Sequence, residues 1–260
     1  MPEGVEVSLL TEKIQKLKNC EITNITILGG RYSRHGNPKG FSEFKKNLPL
    51  KILNIHNNGK FIYFTLSNNW FILITLGMTG KINIHNTPIK HDHIQFDSCN
   101  NFFFNDMRNF GTIEFTNDPE VLKNKLDKLG FDPLTQKHIT PSEFLAKIGR
   151  FNENKTIGQL LIDQTFVSGI GNYLRADILY CAKIHPNTLI KNLKPPITTT
   201  LLHCIYNIME TSYKKQKDKI PYKFIIYKQK LSPTGKKIEH FKDNAGRTIW
   251  FSPEEQELIR

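Results

Sequence analysis

Between residues 21 and 116 the chain runs through eight short segments rich in Ile, Phe and Thr: EITNITIL, KILNIHN, KFIYFTLS, WFILITL, KINIH, HIQFD, NFFFN and GTIEFT. GG, NNG, SNN, GMTG and NTP punctuate them. Short β-branched and aromatic runs bounded by Gly and Asn read as strands. Eight of them in about 95 residues predict a sandwich or barrel.

On either side the periodicity changes. Val7, Leu10, Ile14 and Leu17 recur at spacings of 3, 4 and 3, which predicts an amphipathic helix almost at the amino terminus. After Asn117, DPEVLKNKLDKLG, TPSEFLAKIGR, KTIGQLLIDQ, NYLRADILYCAKI and PPITTTLLHCIYNIMETSYKK carry helical spacings with plausible caps. Beyond Lys219, KFIIYKQKL, KKIEHF and RTIWF read as strands of a small ribbon, joined by SPTG and DNAG turns. The predicted class is α+β, with an N-terminal β-sandwich over 1–130 and a helical domain over 131–260.

Charge indicates the partner class. The 260 residues hold 36 Lys plus Arg against 24 Asp plus Glu, a formal charge of +12. From 212 to 247 there are 11 cations and 3 anions, with Tyr213, Tyr222, Phe224, Tyr227 and Phe241 interleaved and Trp250 just beyond. Cations mixed with aromatics suit a nucleic-acid surface, and a solvated basic tail is the plainer reading. The longest apolar run, Trp70 to Leu76, is far below the roughly 20 residues of a membrane span. MPEGVEV is acidic where a signal peptide would be basic, so an intracellular protein is expected, nuclear or cytoplasmic unspecified. Cys20, Cys99, Cys181 and Cys204 form no C-x-x-C pair, so structural thiols are expected and no metal or cofactor.

Four motifs carry chemistry. Removal of Met1 would expose Pro2 as a secondary amine with a pKa of about 8, nucleophilic at neutral pH. Such an amine can form a Schiff base with a sugar C1′, and Glu3 beside it could move the proton; Met-Pro starts also serve processing, and glutamates suit a helix start. NNGK places Lys60 after a tight turn at a strand start, where it meets a phosphate or simply water. LGMTG and DMRNFG put Met78, Arg108 and Phe110 on turns, as base-stack wedges or as side chains folded back into the core. Within 155–186, TFVSGIGN joins two helices, with Gly169 and Gly171 freeing N–H groups and Asn172 expected to cap the next helix.

PEGVE, NGK, LGM, D-x-R-x-F-G and K-T-I-G-Q-x-L-x-D-Q…GIGNYLRADIL, in this order, resemble the formamidopyrimidine-DNA glycosylase and endonuclease VIII (Fpg/Nei) family over nearly the whole chain. The resemblance implies a bifunctional glycosylase and abasic-site lyase. In it Pro2 is the nucleophile, Glu3 moves the proton, Lys60 binds phosphate and transfers a proton, and Glu6 lines the lesion pocket. Met78, Arg108 and Phe110 match the void-filling wedge. Lys155 and Asn172 match the phosphate contacts of the helix-two-turn-helix motif. The cysteine-free DNAGRTIWF is similar to the zincless finger of the Nei-like branch, about 222–252, with Arg247 as its phosphate-reaching arginine. Val5 stands where proline is usual, and Asp177 where Glu is common.

Of the 7 arginines, Arg108, Arg175 and Arg247 fall inside these motifs, as planar phosphate or base contacts would require. The expected substrates are oxidised pyrimidines, hydantoins and formamidopyrimidines in double-stranded DNA, with single-stranded or bubble DNA left open, and the expected state is a monomer. The alternatives are an 8-oxoguanine-type glycosylase of the same fold and a non-catalytic damaged-DNA-binding protein.

Overall fold

The alternation of apolar and polar residues along 21–116 puts one side of each strand in a core. The computed structural model describes residues 2–136, 138–243 and 245–260; Met1, whose removal the Pro2 reading invokes, lies outside them. All eight expected strands form: β1 (Glu21–Ile27), β2 (Leu50–Asn58), β3 (Phe61–Leu66), β4 (Phe71–Thr75), β5 (Lys81–Ile84), β6 (Asp92–Ser98), β7 (Phe102–Asn105) and β8 (Thr112–Thr116). Their order is β5-β7-β6-β1-β2-β3-β4-β8, antiparallel throughout.

Between β1 and β2 the two halves of this order are joined by the short pairing of Glu21 with Lys51 and Ile22 with Leu50. The halves therefore fold over each other. Phe64 of β3 meets Phe102 of β7 with ring centroids 5.9 Å apart, and Phe96 of β6 meets Phe115 of β8 at 6.3 Å. This is an antiparallel sandwich. Helix α1 (Gly4–Ile14) adds Val7 and Ile14 to the same core, and α2 (Arg31–Arg34), α3 (Phe41–Lys46) and α4 (Pro119–Asp127) flank the strands.

The described residues divide into two units, one of Pro2 and 6–128, the other of 3–5 and those of 129–260. The second holds α5 (Pro141–Ile148), α6 (Ile157–Leu160), α7 (Asn172–Cys181), α8 (Ile197–Lys217) and a two-stranded ribbon of β9 (Glu239–Lys242) and β10 (Thr248–Phe251). Thr140 with Glu143 and Thr156 with Gln159 form capping boxes that start α5 and α6. Helix α7 is buried from Tyr173 to Tyr180, including Arg175 and Asp177. None of the described helices is long and apolar enough to cross a membrane.

Four expectations are corrected. KFIIYKQKL forms no strand: the N–H groups of Ile225 and Ile226 donate to the Asp177 carboxylate at 3.0 Å, and that of Tyr227 at 3.4 Å, instead of to a neighbouring strand. Asn172 does not cap α7; Gly171 occupies that position and Asn172 is the first helical residue. The helix expected over KTIGQLLIDQ stops at Leu160, where Asp163 and Gln164 side chains bond to turn backbone instead. The cysteines are paired, Cys20 with Cys99 and Cys181 with Cys204, at Cα separations of 5.6 and 5.8 Å. Partners 79 and 23 residues apart leave no spacing signal to read in the sequence.

Candidate active site and nucleic-acid interface

A helix starts with N–H groups that lack partners, and α7 satisfies its own with a side chain from the other end of the chain. The Glu3 carboxylate accepts from Gly171 N–H at 2.7 Å, Tyr173 N–H at 3.0 Å and Leu174 N–H at 3.3 Å. Negative charge there is favoured by the helix dipole. The glycines make room for it: a Cβ on Gly171 would lie 2.3 Å from Glu3 Cδ, and one on Gly4 would lie 2.7 Å from Gly169 Cα. Gly4 N–H donates to Gly169 O at 2.7 Å, and Gly169 itself turns the chain at φ +103.

Pro2, Glu6 and Lys60 are half-buried. Lys60 follows Gly59, whose φ of +54 closes the β2–β3 turn. Asn57 Nδ2 donates to Ser8 Oγ at 3.0 Å and so ties that turn to α1, the helix that carries Glu6. The NNGK motif is thereby fastened to the amino-terminal segment by a bond that sequence spacing does not reveal.

The two apolar-tipped turns are joined as well. Asp106, fully buried, accepts from Thr79 Oγ1 at 2.5 Å, Arg108 N–H at 3.2 Å and Gly111 N–H at 2.7 Å. Arg108 N–H also donates to Thr79 Oγ1 at 3.0 Å. Gly77 allows the approach, since a Cβ there would sit 2.6 Å from the Phe110 carbonyl carbon. Met78 and Phe110 do not fold back into the core: they are 38% and 53% exposed, and Met107 beside them is 57% exposed. The Arg108 guanidinium lies over the Phe110 ring at 5.0 Å. Asp106 and Met107, to which the sequence reading gave no role, complete this unit.

In the second unit Arg175 is corrected from a surface contact to an internal strut. It is fully buried and donates to Gly158 O at 3.1 Å, Thr248 O at 3.3 Å, Asn172 Oδ1 at 3.1 Å and Asp243 Oδ2 at 3.4 Å. A buried guanidinium needs such partners, and its two terminal nitrogens find them while the buried Nε has none among the described residues. Asp243 in turn accepts from the N–H groups of Ala245 and Arg247, leaving the Arg247 side chain exposed at the ribbon turn. Because Asn172 Oδ1 is engaged by Arg175, its amide nitrogen is the group left to donate. Lys155 is held 2.5 Å from Asp163. Burial raises the Asp163 carboxyl, but Lys155 and Thr165 outweigh it and bring it below the ordinary range.

Asp177 organises the loop after α8. Besides the three backbone donors, Tyr222 Oη donates to it at 3.0 Å. Burial still pushes its carboxyl upward, and burial together with Asp177 raises the Tyr222 phenol strongly. The loop brings Phe224 within 5.0 Å of the Tyr173 ring and within 5.2 Å of Tyr227, ring centroid to ring centroid. Tyr173 is the residue whose N–H holds Glu3.

Residues 1–113 match the formamidopyrimidine-DNA glycosylase N-terminal domain, and residues 129–223 match the H2TH domain of the same glycosylase. The chain is 32% identical over 219 residues to formamidopyrimidine-DNA glycosylase of Pelotomaculum thermopropionicum, covering 81% of this chain and 77% of that one. It is 30% identical over 216 residues to the Rickettsia canadensis enzyme of that name, covering 80% and 77%. Among solved structures, Lactococcus lactis formamidopyrimidine-DNA glycosylase bound non-covalently to abasic-site DNA superposes with a TM-score of 0.84 at 26% identity, covering 98% of this chain and 99% of that one. The chain belongs to the formamidopyrimidine-DNA glycosylase (Fpg/Nei) family. The ribbon of β9 and β10 lies beyond both matched domains.

Proposed function

We propose that this DNA glycosylase of base excision repair is bifunctional, excising oxidised pyrimidines, hydantoins and formamidopyrimidines from duplex DNA and then cleaving the strand. In the proposed reaction the Pro2 nitrogen attacks C1′ of the damaged nucleotide, the base departs with the glycosidic electron pair, and the deoxyribose ring opens as its oxygen takes a proton. The resulting iminium acidifies C2′, so loss of that proton expels the 3′ phosphate and a second elimination expels the 5′ phosphate. Water then hydrolyses the imine and returns the Pro2 amine.

The observation that carries this reading is Glu3, buried directly after Pro2 and held by three backbone donors of α7. A carboxylate fixed there can pass a proton at the sugar without reorganising. Lys60 is assigned to the phosphate and to proton transfer in the elimination, and Glu6 to the lesion pocket. Exposed Met78, Arg108 and Phe110, clasped by Asp106, are assigned to the space a flipped base vacates. Lys155, Asn172 and Arg247 are assigned to phosphates, Lys155 by exchanging Asp163 for the DNA. Residues 1–130 are proposed as the catalytic domain and 131–260 as the DNA-binding domain, with β9 and β10 as a metal-free finger.

The test is borohydride trapping of tag-free protein on a duplex with one abasic site, with the adduct located by amino-terminal peptide mass. A covalent complex on Pro2 is expected. Tight binding with Met1 removed and no complex would favour a non-catalytic damage-binding protein instead, and 8-oxoguanine as the best substrate would move the specificity to that type of glycosylase.

A further inference from the structure

The first unit contains a cavity of about 440 Å³ that none of these roles uses, lined by Arg31, Tyr32, His35, Lys39, Glu114 and Lys125 among others. Three of its walls are tied to β8. Tyr32 Oη accepts Ile113 N–H at 2.9 Å, and Phe115 N–H donates to Lys39 O at 2.9 Å. Directly after Lys39 the chain runs so close to β8 that a Cβ on Gly40, at φ +76, would lie 2.0 Å from Phe115 O. Lys125 Nζ reaches Glu114 at 2.6 Å from α4.

The charges do not balance. Glu114 carries both Lys39, at 2.8 Å, and Lys125, so one carboxylate serves two ammonium groups. Arg31 adds a third cation; it lies over the Tyr32 ring at 5.6 Å, and among the described residues no carboxylate pairs with it. A guanidinium and an ammonium at one mouth suit a phosphate, and the volume falls in the roughly 300–1,000 Å³ range of small-ligand sites. Position links the cavity to the exposed turn: Thr112 lines it immediately after Gly111, and Arg31 N–H donates to Asn109 Oδ1 at 2.9 Å.

We propose that this cavity receives a backbone phosphate of the DNA strand met by the 106–111 turn, with Arg31 and Lys39 as its donors. The inference rests on the DNA glycosylase reading above. The test measures duplex affinity against salt for the wild type and for Arg31→Ala combined with Lys39→Ala, with thermal melting as the folding control. Removing both donors to that one phosphate should lower the slope of log K against log salt by about one. Arg31→Lys should keep the slope. An unchanged slope in the double variant, while the wild type binds and excises, overturns this inference alone. Wild type that binds no duplex overturns the glycosylase reading instead. Deoxyadenosine monophosphate shifting the Arg31 side-chain resonance with the DNA slope unaffected would assign the cavity to free nucleotides and overturn the strand assignment.

Discussion

Glu3 and Gly171 are 168 residues apart in sequence and joined by a 2.7 Å hydrogen bond from the Gly171 amide to the Glu3 carboxylate. The contact exists only because position 171 has no side chain, a Cβ there falling 2.3 Å from Glu3 Cδ. Gly171→Ala should displace Glu3, with a stability loss on the order of 1–3 kcal/mol from overpacking and a fall in excision of more than about tenfold. Thermal melting and single-turnover excision measure the two effects, and full excision by this variant would contradict a role for Glu3 in that position.

Glu3→Gln keeps the shape but turns an acceptor-only carboxylate into an amide that carries no transferable proton. Excision of a damaged base should be lost while the variant still binds abasic duplex. Normal excision rates would remove the proton-transfer assignment.

Asp106 is the clasp between the exposed turns, accepting from Thr79, Arg108 and Gly111. Asp106→Ala leaves buried donors without an acceptor, which costs on the order of 3 kcal/mol. Thr79→Val should show a milder version of the same defect. Urea midpoints rank the two, and equal stability of both with wild type would mean that the turns hold together without the carboxylate.

Acid stability should depend on Glu255. Hydroxyls of Ser232, Tyr180, Thr234 and Ser252 pull its carboxyl from 4.5 down to about 2. Because the folded value is the lower one, its stabilising contribution is complete above about pH 4.5 and is lost as pH falls towards about 2. Glu255→Gln should flatten the urea midpoint across that window. Parallel curves for the variant and the wild type would show that these hydroxyls do not stabilise the ionised form.

DNA affinity should be steeply salt-dependent. If about six phosphates are neutralised, binding falls on the order of 10³-fold between about 50 and 200 mM salt. Arg247→Ala should reduce the slope by about one. A flat wild-type profile would remove the phosphate assignments of Lys60, Lys155, Asn172 and Arg247 together.

The strands and turns were legible because their signals are local. Alternation from Glu21 to Thr116 marks all eight strands, and Gly and Asn mark the turns that carry Lys60, Met78 and Phe110. Local signals also misled. FIIY has strong strand propensity, yet Asp177 takes the amides of Ile225, Ile226 and Tyr227. Arg175 looked like a surface cation because burial cannot be read from a single residue in a motif; its partners come from residues 158, 172, 243 and 248.

By itself, then, the sequence determined the eight strands of 21–116, the longer helices and the family motifs, because periodicity and turn chemistry act over a few residues. The tertiary structure alone decided that Glu3 sits on α7, that Asp106 locks two turns, that Asp177 shapes a loop and that the cysteines pair. Each of these joins groups far apart along the chain, and such pairings are selected by the packing of the whole core rather than by neighbouring residues.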